Sequence, residues 1–298
     1  MKGISKKEAW AGYIFSSPWI IGFFVFMAYP LIASIYFSFC DYSVLKPPVW
    51  VGIDNYKALW GDDLFWTALK NTLLYAVIAL PAGMATAVIL AMLLNAKVKG
   101  MAAYRTIFFI PSLVPQVSLA ILWSWVLNSE HGVLNPVLDP FLKLIGLKGP
   151  NWMGDPNWSK PSLVLMGMWG VGNAMLIYLA GLQDVPVQLI EAADLDGANS
   201  WQKTKNVTIP MISPVILFNL IMGIIGTLQV FTVPYIMFPN GTPAHSTYFY
   251  TEYLYDNAFR YHKMGYASAM GWIMFLMILG LTVFSLRMSE KHVHYQGS

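Results

Sequence analysis

Long apolar segments separated by polar ones dominate the hydropathy pattern of this chain of 298 residues. A helix needs about 20 predominantly apolar residues to cross the hydrocarbon core of a bilayer. Six segments are long enough, and none of them contains Asp, Glu, Lys, Arg or His: Tyr13–Phe39, Asn71–Ala96, Ile107–Asn128, Ser162–Gln183, Met211–Phe238 and Met264–Leu286. The pattern therefore predicts an all-α integral membrane protein with six transmembrane helices.

Proline and small residues punctuate these predicted spans. Proline removes a backbone donor, so we expect helix breaks or kinks where it lies inside a span, at Pro81, Pro111, Pro115, Pro214 and Pro234. Small residues let helix backbones approach closely, which we expect at Gly167, Gly170, Gly172, Gly265, Ala267, Ala269 and Gly271. Kinked helices around a polar path would produce this pattern, and so would tight packing alone.

Basic residues are distributed unevenly between the two sides that six spans define. Six spans place both termini on one side, and that side holds ten of the eighteen Lys and Arg residues in less loop length. These residues are Lys2, Lys6, Lys7, Lys97, Lys99, Arg105, Lys203, Lys205, Arg287 and Lys291. Because cytoplasmic loops carry the excess of positive charge, we predict cytoplasmic N and C termini.

Composition excludes several classes of protein. The chain is 57% hydrophobic and only 11% charged, whereas a soluble domain averages about 25% charged residues. The net charge of +3 is too small and too scattered for nucleic-acid binding. The single cysteine, Cys40, excludes disulfides within the chain and cysteine metal clusters, and the five histidines fall in loops or the C-terminal tail. We therefore predict no metal site.

The longest polar interruption on the predicted cytoplasmic side is Asp184–Pro210, which we call the helix–glycine–helix loop. Its pattern predicts two short helices, the second of which ends at Thr208. The expected signals are Asp184 as the first cap, Pro186 in the first turn, Gly197 as a left-handed stop, Asn199 or Ser200 as the second cap, and Pro210 at the start of the following span.

The residues of this loop form a long motif with a defined spacing. Glu191-Ala192-Ala193, three residues, Gly197, nine residues and Val207-x-Ile209-Pro210 resemble the E-A-A loop of the membrane subunits of ABC importers. That family usually has Ile and Leu at the positions of Val207 and Ile209, and both changes keep the apolar character. The resemblance implies the type I ABC importer permease fold and a loop that docks into a cleft of a cytoplasmic ATPase. It implies ATPase coupling by Glu191, Ala192, Ala193, Asp194, Gly197 and Pro210.

The opposite side of the chain adds two shorter signatures. Gly52-Ile53-Asp54-Asn55-Tyr56 and Gly241-Thr242-Pro243 resemble outer-loop signatures of carbohydrate-uptake permeases, closest to the maltose and glycerol-phosphate types. The resemblance covers nearly the whole chain as a single permease domain, residues 1–298, in a bacterial inner membrane. It implies two ATPase subunits, a second and non-identical permease subunit, and an extracellular or periplasmic solute-binding protein.

Polar and aromatic residues inside the later spans are the candidates for a substrate path. They are Trp169 and Asn173 in the fourth span, and Asn219, Gln229, Phe231 and Tyr235 in the fifth. Amides hydrogen-bond sugar hydroxyls, and aromatic rings cover the apolar face of a pyranose. Each residue could instead make a hydrogen bond or a packing contact between helices.

Several motifs are absent from the sequence. It has no G-x-x-x-x-G-K-[ST] phosphate loop, no intramembrane carboxylate or histidine for an ion relay, and no catalytic set. We therefore expect a transport subunit without a cofactor of its own, and ATP and Mg²⁺ on the partner ATPase. The predicted substrate is a sugar or oligosaccharide. The alternatives are a glycerol-phosphate or anionic saccharide importer of the same class, an ion-coupled carrier, and a membrane anchor that only holds a cytoplasmic partner.

Overall fold

A computed structural model of the chain describes residues 6–144 and 146–289. Within these ranges the only strands are β1 Cys40–Asp41 and β2 Val49–Trp50, which pair antiparallel. The α-helices are α1 Lys6–Phe23, α2 Tyr29–Ser38, α3 Asp54–Trp60, α4 Asp63–Leu94, α5 Met101–Phe109, α6 Gln116–Val126, α7 Leu134–Leu144, α8 Pro156–Trp169, α9 Gly172–Gln183, α10 Val187–Leu195, α11 Ser200–Lys203, α12 Ile209–Met211, α13 Ser213–Leu228, α14 Thr232–Met237, α15 Tyr250–Tyr255 and α16 Met264–Ser289. The all-α prediction is confirmed.

Four helical segments among the described residues are long and apolar enough to cross a membrane: Trp10–Ser38, Asp63–Leu94, Ser213–Met237 and Met264–Ser289. Two further helix pairs qualify only when each pair is taken together. They are Met101–Leu113 with Gln116–Val126, bent by 98°, and Pro156–Trp169 with Gly172–Gln183, bent by 49°. The described residues thus contain four candidate spans, or six if each bent pair is one span, and the number of six stays a prediction.

The 98° bend between α5 and α6 follows from local chemistry. Val114 is extended, with ψ 127°, because the ring of Pro115 disfavours the helical conformation in the preceding residue. Pro111 lies in a short 3₁₀ turn just before it. The helix is not broken at Pro81, since α4 runs through that residue without interruption, and a kink there stays a prediction. Proline has a helical φ and removes only one hydrogen bond, so a long helix can continue through it.

The described residues group by their contacts into two units. One combines residues of Met1–Asp62 with Leu254–Phe275, and the other combines Asp63–Tyr253 with residues of Leu276–Ser298. That the chain forms a single permease domain stays a prediction.

In the first unit, the signature that begins at Gly52 fixes the end of the first span. Gly52 has φ +63°, and the Asn55 side chain donates to the carbonyl oxygens of Ser38 and Cys40, both at 2.9 Å. The Tyr56 hydroxyl donates to Ser38 Oγ at 2.9 Å. These side chains satisfy groups that the end of a helix leaves without partners.

In the second unit, α4 packs against α8, α9 and α13, and α14 packs against α6. Ala87 and Ala91 of α4 are fully buried against Met175, Tyr178 and Leu179 of α9 and Ile212.

Gly172 marks another close approach, because a Cβ atom there would lie 3.0 Å from Phe109 Cα and 2.9 Å from Ser112 Oγ. Close contact at Gly172 is confirmed, whereas Gly167 has open space around it.

Candidate functional site

Two interrupted helices hold most of the predicted substrate-path residues. Trp169 is the last residue of α8, and Asn173 lies in the first turn of α9, across the 49° bend. Gln229 is the C-cap of α13, and Phe231 is the N-cap of α14, which also contains Tyr235. Asn219 lies further back in α13. In membrane proteins, irregular backbone is tolerated where it lines a cavity or is covered by protein.

A cavity of about 450 Å³ opens between α4, α8, α9 and α13. None of its sixteen lining residues is charged, and we call it the uncharged cavity. Its polar lining comes from Tyr75, Asn173, Asn219 and Thr227, and its larger apolar residues include Met84, Phe218 and Met222. Ligand pockets of roughly 300–1,000 Å³ with mostly apolar walls and a few polar groups are typical of small-molecule sites.

The amides in this cavity do not link helices to one another. Asn219 Nδ2 donates to Val215 O of its own helix at 2.9 Å, and its Oδ1 has no hydrogen-bond partner among the described residues. Within the same part of the chain, neither the Asn173 side chain nor the Tyr75 hydroxyl has a hydrogen-bond partner. The cavity therefore presents both donors and acceptors to a ligand.

The four other predicted residues do not line this cavity. The Trp169 ring meets Trp123 edge-on, with centroids 5.9 Å apart, and Phe231 stacks on Tyr235 at 5.0 Å. Gln229 is exposed at its helix end.

Sequence reasoning missed the cavity residues Tyr75 and Thr227. Thr227 follows Asn219 and Gly223 at intervals of four residues, so a polar stripe on α13 was visible in the sequence. No comparable signal marked Tyr75.

The helix–glycine–helix loop begins differently from its predicted form. Asp184 caps the end of α9, and the N-cap of α10 is Pro186, which has an extended ψ of 127° and no side-chain hydrogen bond. Asp184 is therefore not the first cap, because Pro186 disfavours a helical conformation at Val185 and delays the helix. Pro210 also differs from expectation, since it lies in α12 and the following span helix starts at Ser213.

The rest of the loop follows its local signals. Gly197 has φ +77°, and the chain closes through Gly197 N to Asp194 O at 3.1 Å and Ala198 N to Ala193 O at 2.9 Å. Asn199 Oδ1 accepts from Gln202 N at 2.9 Å, and Gln202 Oε1 accepts from Asn199 N at 2.8 Å, which completes a capping box. The second helix continues beyond the predicted Thr208, through a π-helical turn, Thr204–Thr208, into α12.

One ion pair joins the two halves of this loop. Lys203 Nζ lies 2.6 Å from Asp194 Oδ1, so α11 is tied to α10. Glu191, Ala192 and Asp194 are exposed and Ala193 is half-buried. Large apolar side chains are exposed beside them, including Leu195 at 90% and Trp201 at 72%. A groove of about 350 Å³ runs past Ala193, Gly197 and Gln202.

The Gly241-Thr242-Pro243 signature lies in a tightly held loop. Gly241 has φ +68°, and the peptide bond before Pro243 is cis. Asn71 Nδ2 of α4 donates to His245 O at 2.7 Å and to Tyr248 O at 3.2 Å. Just after this loop, burial raises the pKa of Tyr250, whose backbone N–H donates to Thr72 Oγ1 at 2.9 Å. The hydroxyl of Tyr250 therefore stays protonated at neutral pH.

Comparison with known proteins adds consistent findings. Residues 79–293 match the family model described as "Binding-protein-dependent transport system inner membrane component". The probable ABC transporter permease protein YesP of Bacillus subtilis (strain 168) is 39% identical, over 98% of this chain and 94% of that protein. The arabinooligosaccharides transport system permease protein AraP of the same organism is 35% identical, over 96% and 90%.

Among solved structures, a chain of a bacterial alginate ABC transporter has a similar fold. That crystal structure contains the transporter in complex with an alginate pentasaccharide-bound periplasmic protein. The chain is 26% identical to this one, with a TM-score of 0.81 over 96% of both chains.

Proposed function

This chain belongs to the family of binding-protein-dependent transport system inner membrane components, and from this premise we propose that it lines the path of a neutral sugar or oligosaccharide in an ATP-driven importer. Relatives named for arabinooligosaccharides and alginate support the carbohydrate class. The observation that carries the proposal is the uncharged cavity, where the Asn173 and Asn219 amides face an apolar wall. Amide groups can donate to and accept from hydroxyls without imposing a charge on the substrate.

The helix–glycine–helix loop fits a role in docking an ATPase. Its exposed Leu195 and Trp201 offer apolar area on a polar segment, and such patches mark interaction sites. We assign Glu191 to a polar contact in the ATPase cleft, and Ala192 and Ala193 to close seating of the helix. Gly197 has no Cβ atom and therefore adopts the left-handed conformation of the turn without strain. Asp194 forms an ion pair with Lys203 and so holds the second half of the loop against the first.

The proposed assembly follows from one such loop per chain. Two ATPase subunits, which bind ATP and Mg²⁺, need two loops, so this chain pairs with a second, related permease subunit. The loop and both termini lie in the cytoplasm, as the distribution of basic residues favours. A solute-binding protein delivers substrate on the opposite side of a bacterial inner membrane.

Transport then works by a shift between two conformations. ATP binding brings the ATPase subunits together, and the docked α10 helices transmit that movement to the spans. The uncharged cavity alternately opens to the two sides of the membrane as the interrupted helices move as rigid bodies. ATP binds one of the two states more tightly and so shifts the equilibrium towards it. ATP hydrolysis resets the cycle and supplies its net free energy.

The decisive experiment reconstitutes the complete complex in liposomes and measures uptake together with ATP hydrolysis. We expect a neutral oligosaccharide with its binding protein to stimulate hydrolysis, and the double variant Asn173→Leu/Asn219→Leu to lose substrate transport while basal hydrolysis remains. Full transport by this double variant would show that the substrate does not pass through the uncharged cavity. Uptake that continues when ionophores collapse the ion gradients would exclude an ion-coupled carrier.

An anionic saccharide is the second candidate, because the similar solved transporter carries alginate, which is an acidic polysaccharide. The uncharged cavity offers no Lys, Arg or His from this chain to such a substrate. Competition between a neutral and a uronate-containing oligosaccharide of equal length separates the two candidates. Preferential stimulation by the uronate would assign the missing positive charge to the second permease subunit.

A further inference from the structure

Only part of the apolar face of helix α7 is covered by the described residues of the chain. Leu134 and Leu138 pack against the buried core of the second unit. Val137, Phe141 and Leu144 follow the i, i+4, i+7 spacing of one helix face and remain 63%, 68% and 83% exposed. The helix is thus strongly amphipathic, and the exposed edge of its apolar face has no cover among the described residues.

The start of α7 is held against the end of the apolar helix α6. Asn128 Oδ1 accepts from His131 N at 2.8 Å, and Gly132 N donates to Asn128 O at 3.0 Å, so the connection is one tight turn. A Cβ atom on Gly132 would lie 2.6 Å from Val126 O and 2.8 Å from Trp125 O. The chain therefore lies directly on the last turn of α6 two residues before α7 begins.

A second set of contacts ties α7 to the start of α8. Asn135, buried in the first turn of α7, accepts from Trp152 Nε1 at 2.8 Å. The carbonyl of Trp152 accepts from Ser162 Oγ of α8 at 2.8 Å, and the Trp152 ring meets Trp158 edge-on at 5.1 Å. The first turn of α7 is therefore at the level where one apolar helix ends and the next begins.

The remaining side of α7 is polar. Asp139 and Lys143 form an ion pair at 3.2 Å and line a cavity of about 650 Å³ together with Glu130 and Lys148. Water can fill this cavity while the apolar edge faces elsewhere. Trp125 and Trp158, both partly exposed near the two anchor points, are of the residue type that favours the membrane–water interface.

We propose that α7 is an interfacial helix whose exposed edge, Val137, Phe141 and Leu144, inserts into the lipid bilayer surface. The occupant is lipid because both anchors hold α7 at the ends of membrane helices, where the boundary between headgroups and acyl chains lies. Amphipathic helices of this kind bury their apolar face at that boundary. The inference depends on the membrane location of the chain and is independent of its substrate.

Site-directed spin labelling tests this inference. Cysteine is introduced singly at Val137, Phe141, Leu144, Glu130 and Lys143 in a Cys40→Ala background, since Cys40 is the only native cysteine. The full complex is placed in nanodiscs of phosphatidylethanolamine and phosphatidylglycerol, and collision of each label with oxygen and with a water-soluble nickel complex is measured. Substrate uptake by each variant, measured in liposomes, verifies that the complex is intact.

We expect the oxygen-to-nickel collision ratio at 137, 141 and 144 to be several-fold higher than at the matched sites 130 and 143. A ratio at the apolar edge equal to that at the polar sites would place the edge in water and overturn the proposal. Low collision rates with both reagents at 137, 141 and 144 would show a protein cover, which would equally overturn it.

Discussion

The helix–glycine–helix loop and the uncharged cavity lie in the same unit and are built on different kinds of contact. In the loop, the hydrogen bonds that form the Asn199–Gln202 capping box and the turn at Gly197 join residues close in sequence. In the cavity, the lining comes from four helices separated by up to about a hundred and fifty residues, from Tyr75 to Thr227. The turns and caps of the loop are therefore specified by neighbouring residues, whereas the cavity is specified by the packing of distant segments.

The two regions also differ in how their polar groups are satisfied. The loop pairs Asp194 with Lys203 and Asn199 with Gln202 and exposes large apolar side chains, which is typical of an interaction surface. The cavity differs, since it is open, its walls are mostly apolar, and the exposed amide of Asn173 has no partner among the described residues. Unmade hydrogen bonds in an apolar setting are costly unless water or a ligand completes them.

The largest effect is expected where packing specifies the region, at Gly172. Gly172→Val places a side chain against the backbone of α5 and the turn that follows it, because even a Cβ atom would lie 3.0 Å from Phe109 Cα. Overpacking typically costs about 1–3 kcal/mol, so we expect a clearly lower melting temperature of the purified complex and reduced assembly.

Gly167→Val is the matched control, because no described atom lies within 4 Å of a Cβ atom there. Differential scanning fluorimetry in nanodiscs compares the two variants. Equal melting temperatures would show that the close approach at Gly172 does not stabilise the protein.

The second prediction concerns the helix–glycine–helix loop and tests whether its turn at Gly197 is needed to couple ATP hydrolysis to transport. A Cβ atom at Gly197 would lie more than 4 Å from any other described group, but Gly197→Val forces a β-branched residue to φ +77°. An L-residue pays about 1–2 kcal/mol in that conformation. We expect the subunit to remain in the membrane, while substrate uptake per ATP hydrolysed falls strongly.

Gly100→Val controls for backbone strain alone. Gly100 has φ +81°, equally open surroundings and a position outside the loop. We expect near-normal coupling from this variant in the same liposome assay. An equal loss of coupling in both variants would mean that the strain, and not the position in the loop, causes the defect.

Gly197 and Gly172 show how much of the structure could be predicted from the sequence. The left-handed Gly197 and the cap at Asn199 were predictable, because caps and turns depend on neighbours in the chain. The mistaken cap at Asp184 had a local cause as well, since proline acts on the residue before it. The sequence predicted a close helix contact at Gly172, but not which residues it would contact. Its contact with the turn after α5 depends on how the 98° bend positions that turn.

The same contrast explains which substrate-path candidates proved to line the cavity. Asn173 and Asn219 were found because an amide in an apolar span is conspicuous. Trp169, Phe231 and Tyr235 were candidates because aromatic rings cover the apolar face of a sugar. In the structure their rings contact other aromatic residues and do not line the cavity. Tyr75 was missed because a tyrosine in a span normally signals an interface anchor, and only the packing of α4 against α13 places it in the cavity.

A third, intermediate effect tests the cavity through tyrosine hydroxyls. Tyr75 and Tyr178 both lack a hydrogen-bond partner for the hydroxyl among the described residues, but only Tyr75 lines the cavity. One hydrogen bond contributes about 0.5–1.5 kcal/mol, so Tyr75→Phe should weaken apparent substrate affinity roughly twofold to tenfold.

Tyr178→Phe removes a hydroxyl that is buried without a partner, so it should leave affinity unchanged and stability equal or slightly higher. The concentration of substrate that half-saturates uptake is the measurement for both variants. The same shift in both would indicate a general packing effect instead of a ligand contact.

The smallest effect should come from the ion pair that joins the two halves of the loop. Asp194 and Lys203 approach to 2.6 Å, but the Asp194 side chain is 54% exposed, and exposed pairs contribute about 0–1 kcal/mol. Asp194→Asn should therefore change the melting temperature of the complex very little, and increasing salt should remove even that difference. Its effect on coupling should be larger than its effect on stability, because the pair orients α11 against α10 at the proposed ATPase contact. Asp139→Asn, which breaks the exposed pair with Lys143 outside the loop, is the control. A coupling defect of equal size in both variants would contradict an orienting role for the Asp194–Lys203 pair.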